Sequence, residues 1–215
     1  MPMLERFLPR TSFSSYEDFS RGYRVEVPEG FNFAWDVVDV IAGTEPSRTA
    51  LVWCDEKGGE ATFTFGQMRD LSMRAAAFFL SLGIGKGDPV MLILKRRYEY
   101  WFCLLGLHRI GAIAIPATHL LTKKDIVYRN GAAGIKAIVC VGDQKVLDNV
   151  DAAAPDSPTL KHRIALGVKR KGWLDLESEL GRTSGNISRI PTENSDPSLL
   201  YFTSGTTGMP KMVQH

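Results

Sequence analysis

Two hydrophobic rhythms alternate along the chain. Short apolar runs bounded by glycine or proline read as strands, and longer stretches with apolar residues three or four apart read as helices. Asn32 is placed to cap a helix running to about Ala42, with Trp35, Val38 and Ile41 on one face and Gly43 at its end. Ala50 to Cys54 reads as a strand, Lys57-Gly58-Gly59 as a turn, and Ala61 to Phe65 as the return strand. Thr64 with Gln67 fits a capping box. Behind it Met68, Leu71, Ala75, Phe78 and Leu82 recur at helical spacing up to Gly83.

Val90 to Leu94 predicts a buried strand, Glu99 to Ile110 a helix, and Ala112 to Ile115 a strand closed by Pro116. Thr122 and Asp125 open a helix reaching about Ala132. Lys136 to Val141 is a strand, Gln144 to Ala153 a helix and Ile164 to Val168 a strand. Trp173 to Leu180 is a short helix, and Gly181 to Pro197 an exposed polar loop. Ser198 to Phe202 is apolar enough for a buried strand. The first thirty residues hold no sustained period; Pro2, Pro9 and Pro28 punctuate them around a short helix near Ser15 to Phe19. Strands alternating with helices every ten to twenty residues imply an α/β fold, a doubly wound and mostly parallel sheet flanked by helices. Such sheets bind ligands at the carboxyl ends of their strands.

Composition narrows this picture. The 215 residues are 44% hydrophobic, enough for a sizeable core. A formal net charge of +2 gives no support for nucleic-acid binding. The basic triplets Lys95-Arg96-Arg97 and Lys169-Arg170-Lys171 read as solvated loops or helix starts. Cys54, Cys103 and Cys140 sit in apolar runs without a C-x-x-C pattern and read as core thiols in a reducing compartment. His108, His119, His162 and His215 show no metal-ligand spacing, so no metal site is assigned. The longest apolar run, Trp101 to Leu107, falls far short of a membrane span. Glu5, Glu17, Asp18, Glu26 and Glu29 argue against a secretory or transit leader, which predicts a cytoplasmic protein.

The chemistry concentrates after the last strand, in Tyr201-Phe-Thr-Ser-Gly-Thr-Thr-Gly-Met-Pro-Lys211. Gly205 and Gly208 let a ligand approach the backbone. Thr203, Ser204, Thr206 and Thr207 offer hydroxyls, and successive amides form an anion-binding nest. Lys211 adds a cation three residues past the last glycine. A strand-end loop with those groups suits a polyphosphate; a flexible surface turn is the plainer alternative. A Walker A loop needs four residues between its glycines, and here only Thr206 and Thr207 separate them. No Gly-x-Gly-x-x-Gly occurs in it either. The glycine run at 83–87 follows a helix rather than a strand and reads as a helix stop and turn.

The nine residues Thr203 to Lys211 match, without a gap, the phosphate loop of the adenylate-forming superfamily, which includes acyl-CoA synthetases, peptide-synthetase adenylation domains and luciferases. Phe31-Asn32-Phe33-Ala34, Asp36-Val37-Val38-Asp39, Gly87 to Val90, Ile126-Val127-Tyr128-Arg129, Lys136 to Val139 and Lys211-Met212 resemble its medium-chain acyl-CoA synthetase branch. The resemblance implies a lead-in segment over 1–31 that packs across the domain. It implies that 32–215 is part of the large N-terminal AMP-binding domain, truncated just after the phosphate loop. It also implies an AMP-forming ligase that activates a short- or medium-chain carboxylic acid with ATP and passes it to coenzyme A.

Carried over by position, Thr203, Ser204, Gly205, Thr206, Thr207, Gly208, Met209, Pro210 and Lys211 bind the nucleotide phosphates. Lys211 is the catalytic candidate, and His215 lies beside the acyl pocket. The resemblance puts the Mg2+ ligands, the adenine and acyl pockets and the mobile C-terminal domain beyond this chain, so the 215 residues alone are expected to be inactive. The basic triplets acquire an alternative role as contacts to coenzyme A phosphates. Other readings are an aryl-acid CoA ligase and a non-catalytic nucleotide- or phosphate-binding module.

Overall fold

A computed structural model of the chain describes residues 3–203 and 208–215. Its centre is a five-stranded parallel sheet in the order β4-β3-β5-β6-β7. The strands are β3 (Pro89–Ile93), β4 (Ile113–Pro116), β5 (Ala137–Val141), β6 (His162–Leu166) and β7 (Leu174–Asp175). All of β5 is buried, as is β3 after Pro89, as expected of strands covered on both faces. Right-handed crossovers in opposite directions from β3 put their helices on opposite faces. Accordingly α3 (Phe65–Ser81), α4 (Glu99–Arg109) and α7 (Leu176–Arg182) pack as one group, and α5 (Lys123–Ala133) and α6 (Gln144–Ala153) as another.

A second unit packs outside α3 and α4. The hairpin β1 (Thr49–Cys54) and β2 (Glu60–Thr64) meets a helical segment that begins as a π-turn at Ala34–Val38 and continues as α2 (Asp39–Thr44). Val38, Met68, Phe102 and Leu105 form its small core. The lead-in carries α1 (Tyr16–Gly22), capped by Ser15. It is tied on by the Arg6 guanidinium donating to the Asp36 carbonyl at 3.0 Å and by the Asn194 side-chain amide donating to the Pro28 carbonyl at 3.0 Å. Among the described residues no helix is long and apolar enough to cross a membrane.

Several local expectations hold. Both Thr64/Gln67 and Thr122/Asp125 form capping boxes, and Gln144 to Ala153 is helical over the expected span. Gly83 and Gly87 both take positive φ at a helix stop and a turn. Others are corrected. The helix after Asn32 runs past Gly43, because the Thr44 hydroxyl caps the carbonyls of Val40 and Ile41 at 3.2 and 3.3 Å. The short helix starts at Leu176, because the Asp175 side chain accepts from the amides of Glu177 and Ser178. Trp173 instead donates its ring N–H to Asp151 at 2.9 Å. The strand expected at Ile164 to Val168 lies at His162–Leu166, ended by Gly167 at φ 77°.

Cys54 is not a core thiol. It is exposed on a two-stranded sheet with one solvated face, whereas Cys103 and Cys140 are buried and burial pushes both thiols up. The strand expected to be buried at 198–202 also differs. It is β8 (Leu200–Thr203), buried only at Leu200, and it pairs antiparallel with β9 (Lys211–Gln214), exposed along its length.

Candidate active site

β8 runs parallel to β4 through an Ala114–Leu199 bridge, with the Ala114 amide donating to the Ser198 carbonyl at 3.0 Å. Its end therefore lies on the carboxyl side of the sheet, where doubly wound folds hold ligands. The chain returns as β9 with Thr203 opposite Lys211 and Leu200 opposite Gln214. Thr203 and Lys211, the first and last residues of the expected phosphate loop, thus pair at the end of an antiparallel ladder. The Thr203 hydroxyl donates to the Lys211 carbonyl at 3.4 Å across its mouth. Of the expected loop, Ser204, Gly205, Thr206 and Thr207 lie outside the described residues. An added Cβ at Gly208 would meet no described atom within 4 Å. The ion-paired lysines among the described residues are Lys86, Lys95, Lys123 and Lys136. Lys211 is exposed and belongs to none of these pairs.

Helix α5 grips both stems of this hairpin. The Tyr128 hydroxyl donates to the Pro210 carbonyl at 2.8 Å, and its ring stands edge-on to Phe202 at 6.2 Å. The Arg129 guanidinium lies 5.1 Å from the centre of the Phe202 ring. Burial lowers the Arg129 pKa against the opposing pull of Asp125. Sequence reasoning used Tyr128 and Arg129 only for a family likeness and gave them no role. The capping box fixes where α5 begins, but nothing local says what its sides face.

Beside the hairpin a crevice of about 510 Å³ opens past the ends of β3 and β4, lined by Lys95, Arg96, Arg97, Tyr100, Trp101 and Thr118 among others. Burial first, then Tyr201 on β8, pushes the Tyr100 hydroxyl up to about 12. The strand order reverses between β3 and β5, and Lys95 sits there with φ 51°, the one described non-glycine residue with positive φ. Lys95 donates to Asp143, the N-cap of α6, at 2.9 Å. That hydrogen bond is the main cause of the lowered Asp143 pKa. Arg97 forks onto buried Glu99 at 2.7 and 3.0 Å and lies over Trp53 and Tyr98. Two of the three cations in the first basic triplet are thus occupied by carboxylates. In the second triplet Arg170 holds Asp148 and Asp151 at 2.7 and 2.6 Å.

His215 stands at the other end of the hairpin. Its amide and carbonyl pair with Leu199, and its ring is edge-on to Tyr201 at 5.9 Å. It lies four positions along the chain from Lys211, roughly 13 Å in extended conformation. It borders a second cavity of about 230 Å³ with Asn32, His108 and Ser198. The structure therefore does not bring His215 and Lys211 together. Among the described residues no three His, Cys, Asp or Glu side chains gather as a metal site.

The model of the family described as AMP-binding enzyme matches residues 38–215. The chain is 36% identical over 209 residues to acyl-coenzyme A synthetase ACSM5, mitochondrial, of Rattus norvegicus, covering 94% of this chain and 36% of that protein. It is 38% identical over 197 residues to human acyl-coenzyme A synthetase ACSM1, mitochondrial, covering 88% and 34%. It thus spans about a third of the length of these curated relatives. Among solved structures, a Brucella canis acyl-CoA synthetase superposes with a TM-score of 0.74 at 27% identity, covering 86% of this chain and 33% of that one.

The expectation of a cytoplasmic protein is overturned, since the curated relatives matched here are mitochondrial by name. Acidic residues in a leading segment can also serve the fold. Asp18, for one, is held by Arg10 and Ser14, which says nothing of compartment. The parallel sheet, the strand-end hairpin and the family match over most of the chain agree: this chain belongs to the AMP-binding enzyme family.

Proposed function

We propose that these residues form the phosphate-gripping part of an AMP-forming acid–thiol ligase. A carboxylate oxygen attacks the α-phosphorus of ATP, the α–β bridging bond breaks, and acyl-AMP and pyrophosphate result. The thiol of coenzyme A then attacks the acyl carbon and expels AMP, losing its proton. Activation is needed because a carboxylate is a poor electrophile until one oxygen becomes part of a good leaving group. The protein's task is to hold two anions together and to stabilise the departing pyrophosphate, by positioning and electrostatics. ATP enters as its magnesium complex, and no ligand for that ion is assigned to the described residues.

One observation carries this reading: Thr203 and Lys211 face each other at the mouth of a hairpin on the carboxyl side of a parallel sheet. In it the amides and hydroxyls of 203–208 hold the β- and γ-phosphates, and Lys211 offsets their charge. His215, at the far end of β9, is assigned to the acyl side. Short- and medium-chain acids are the proposed substrates, supported by the likeness to acyl-coenzyme A synthetases.

The test is ATP–pyrophosphate exchange by the intact protein with a panel of straight-chain acids and with benzoate. Exchange that depends on a straight-chain acid, and falls roughly 100-fold in Lys211→Ala, is the expected result. No exchange with any acid refutes the ligase reading. Exchange that is fastest with benzoate reassigns the substrate to aryl acids.

A further inference from the structure

We propose that Tyr128 is a positioning residue for Lys211, acting through the peptide that joins Pro210 to Lys211. The proposal rests on the reading of Lys211 as the phosphate-side cation. The Tyr128 hydroxyl donates to the Pro210 carbonyl at 2.8 Å. That oxygen belongs to the amide plane that runs through the Lys211 nitrogen to its Cα, so one hydrogen bond sets the tilt of the plane from which the Lys211 side chain departs.

Lys211 needs such a tether. It begins an edge strand whose residues are all exposed, and its Cα partner is Thr203, the last residue of β8. Ladder pairing alone leaves the tip end of a two-stranded ribbon free to fray. A lysine carries a flexible four-carbon stem, so error at its Cα adds to its own rotamer freedom. Tyr128 is built into the body of the domain rather than the hairpin. Helix α5 is fixed by the Thr122 capping box at one end and by buried Asn130, bonded to Ser157 at 2.9 Å, at the other. The neighbouring Arg129 lies against Phe202 on the opposite stem at 5.1 Å, so two consecutive residues of one helix hold both strands in register. Preorganisation of a cation is what makes it effective toward a developing anion.

Tyr128→Phe removes the hydroxyl and keeps the ring beside Phe202. Three readouts on the intact protein test the proposal. In ligand-free Tyr128→Phe, hydrogen exchange of the peptide spanning 208–215 is expected to rise at least about threefold, with peptides from β3 and β5 unchanged. The ATP KM for acid-dependent pyrophosphate exchange is expected to rise about five- to tenfold, with the KM for the acid unchanged. On a Lys211→Ala background, Tyr128→Phe is expected to have no further effect on that exchange.

Unchanged hydrogen exchange overturns the proposal. So does an equal loss from Tyr128→Phe with and without Lys211, which would mean that the tyrosine acts elsewhere. A loss of activity that only follows the loss of folded protein, with kcat per folded enzyme and both KM values unchanged, overturns it too. The underlying reading fails separately: if Lys211→Ala leaves adenylation intact, Lys211 has no role in it. Faster hydrogen exchange in Tyr128→Phe would then still support the tether itself.

Discussion

The Arg109 guanidinium, fully buried at the end of α4, holds both carboxylate oxygens of Asp39 on α2, at 2.5 and 2.9 Å. Its Nε donates to the Ser72 hydroxyl on α3 at 2.9 Å, and its charge lies 4.7 Å from the centre of the Trp35 ring. One side chain thus joins the outer unit to the two helices covering the main sheet. Removing one partner of a buried pair leaves a desolvated charge without compensation. Asp39→Ala is expected to destabilise the fold by about 3–5 kcal/mol. Urea unfolding checks this, and a loss below about 1 kcal/mol would show that the guanidinium finds other partners.

Helices α3 and α4 approach closely at Gly106. A Cβ added there would stand 2.7 Å from the Ala75 Cβ and 2.9 Å from the Ala76 nitrogen. Both neighbours are buried in α3, so the helices must part to admit it. Gly106→Ala is expected to cost about 1–3 kcal/mol, despite the better helix propensity of alanine. Thermal unfolding at unchanged or higher Tm would refute the close approach.

Burial pushes the His108 imidazole down to about 4 from 6.5, and its Nε2 has no hydrogen-bond partner among the described residues. The folded state therefore keeps His108 neutral where the unfolded chain already binds a proton. This contribution is complete above the unfolded pKa and is lost as pH falls through the window from 6.5 to about 4. The loss across that window is on the order of 3 kcal/mol. His108→Gln is expected to flatten this part of the stability profile, measured by urea unfolding between pH of about 7 and about 4. An unchanged slope would assign the acid sensitivity to other groups.

The Thr122 hydroxyl accepts from the Asp125 amide, and Asp125 returns the bond to the Thr122 amide at 2.9 Å. Thr122→Ala is expected to cost about 1 kcal/mol. It should also speed hydrogen exchange in the first turn of α5 before it affects α6. Equal effects on both helices would show that they open as one unit.

Much of the scaffold was legible because its determinants are local. The capping boxes at Thr64 and Thr122 are written within four residues, and α6 matches the helix read from Gln144 to Ala153. The phosphate-loop likeness was legible for the same reason, as nine consecutive residues. Errors at element ends were set by neighbouring groups, Thr44, Asp175 and Gly167, whereas the larger errors came where a distant partner decided the outcome. Trp173 left the expected helix to bond Asp151, and Cys54 faces solvent because its hairpin is covered on one side only.

What the amino-acid order determined alone was most of the strands and helices, β7 and β9 apart, their approximate ends, and the strand-end stretch rich in hydroxyls and glycine. Those features follow from backbone geometry and period, which a short window contains. The tertiary structure alone decided that Tyr128 meets Pro210, that Arg109 meets Asp39, and that His215 lies at the opposite end of the hairpin from the loop. Such pairings join residues far apart in the chain, and they exist only once the sheet has brought distant helices and strands to the same place.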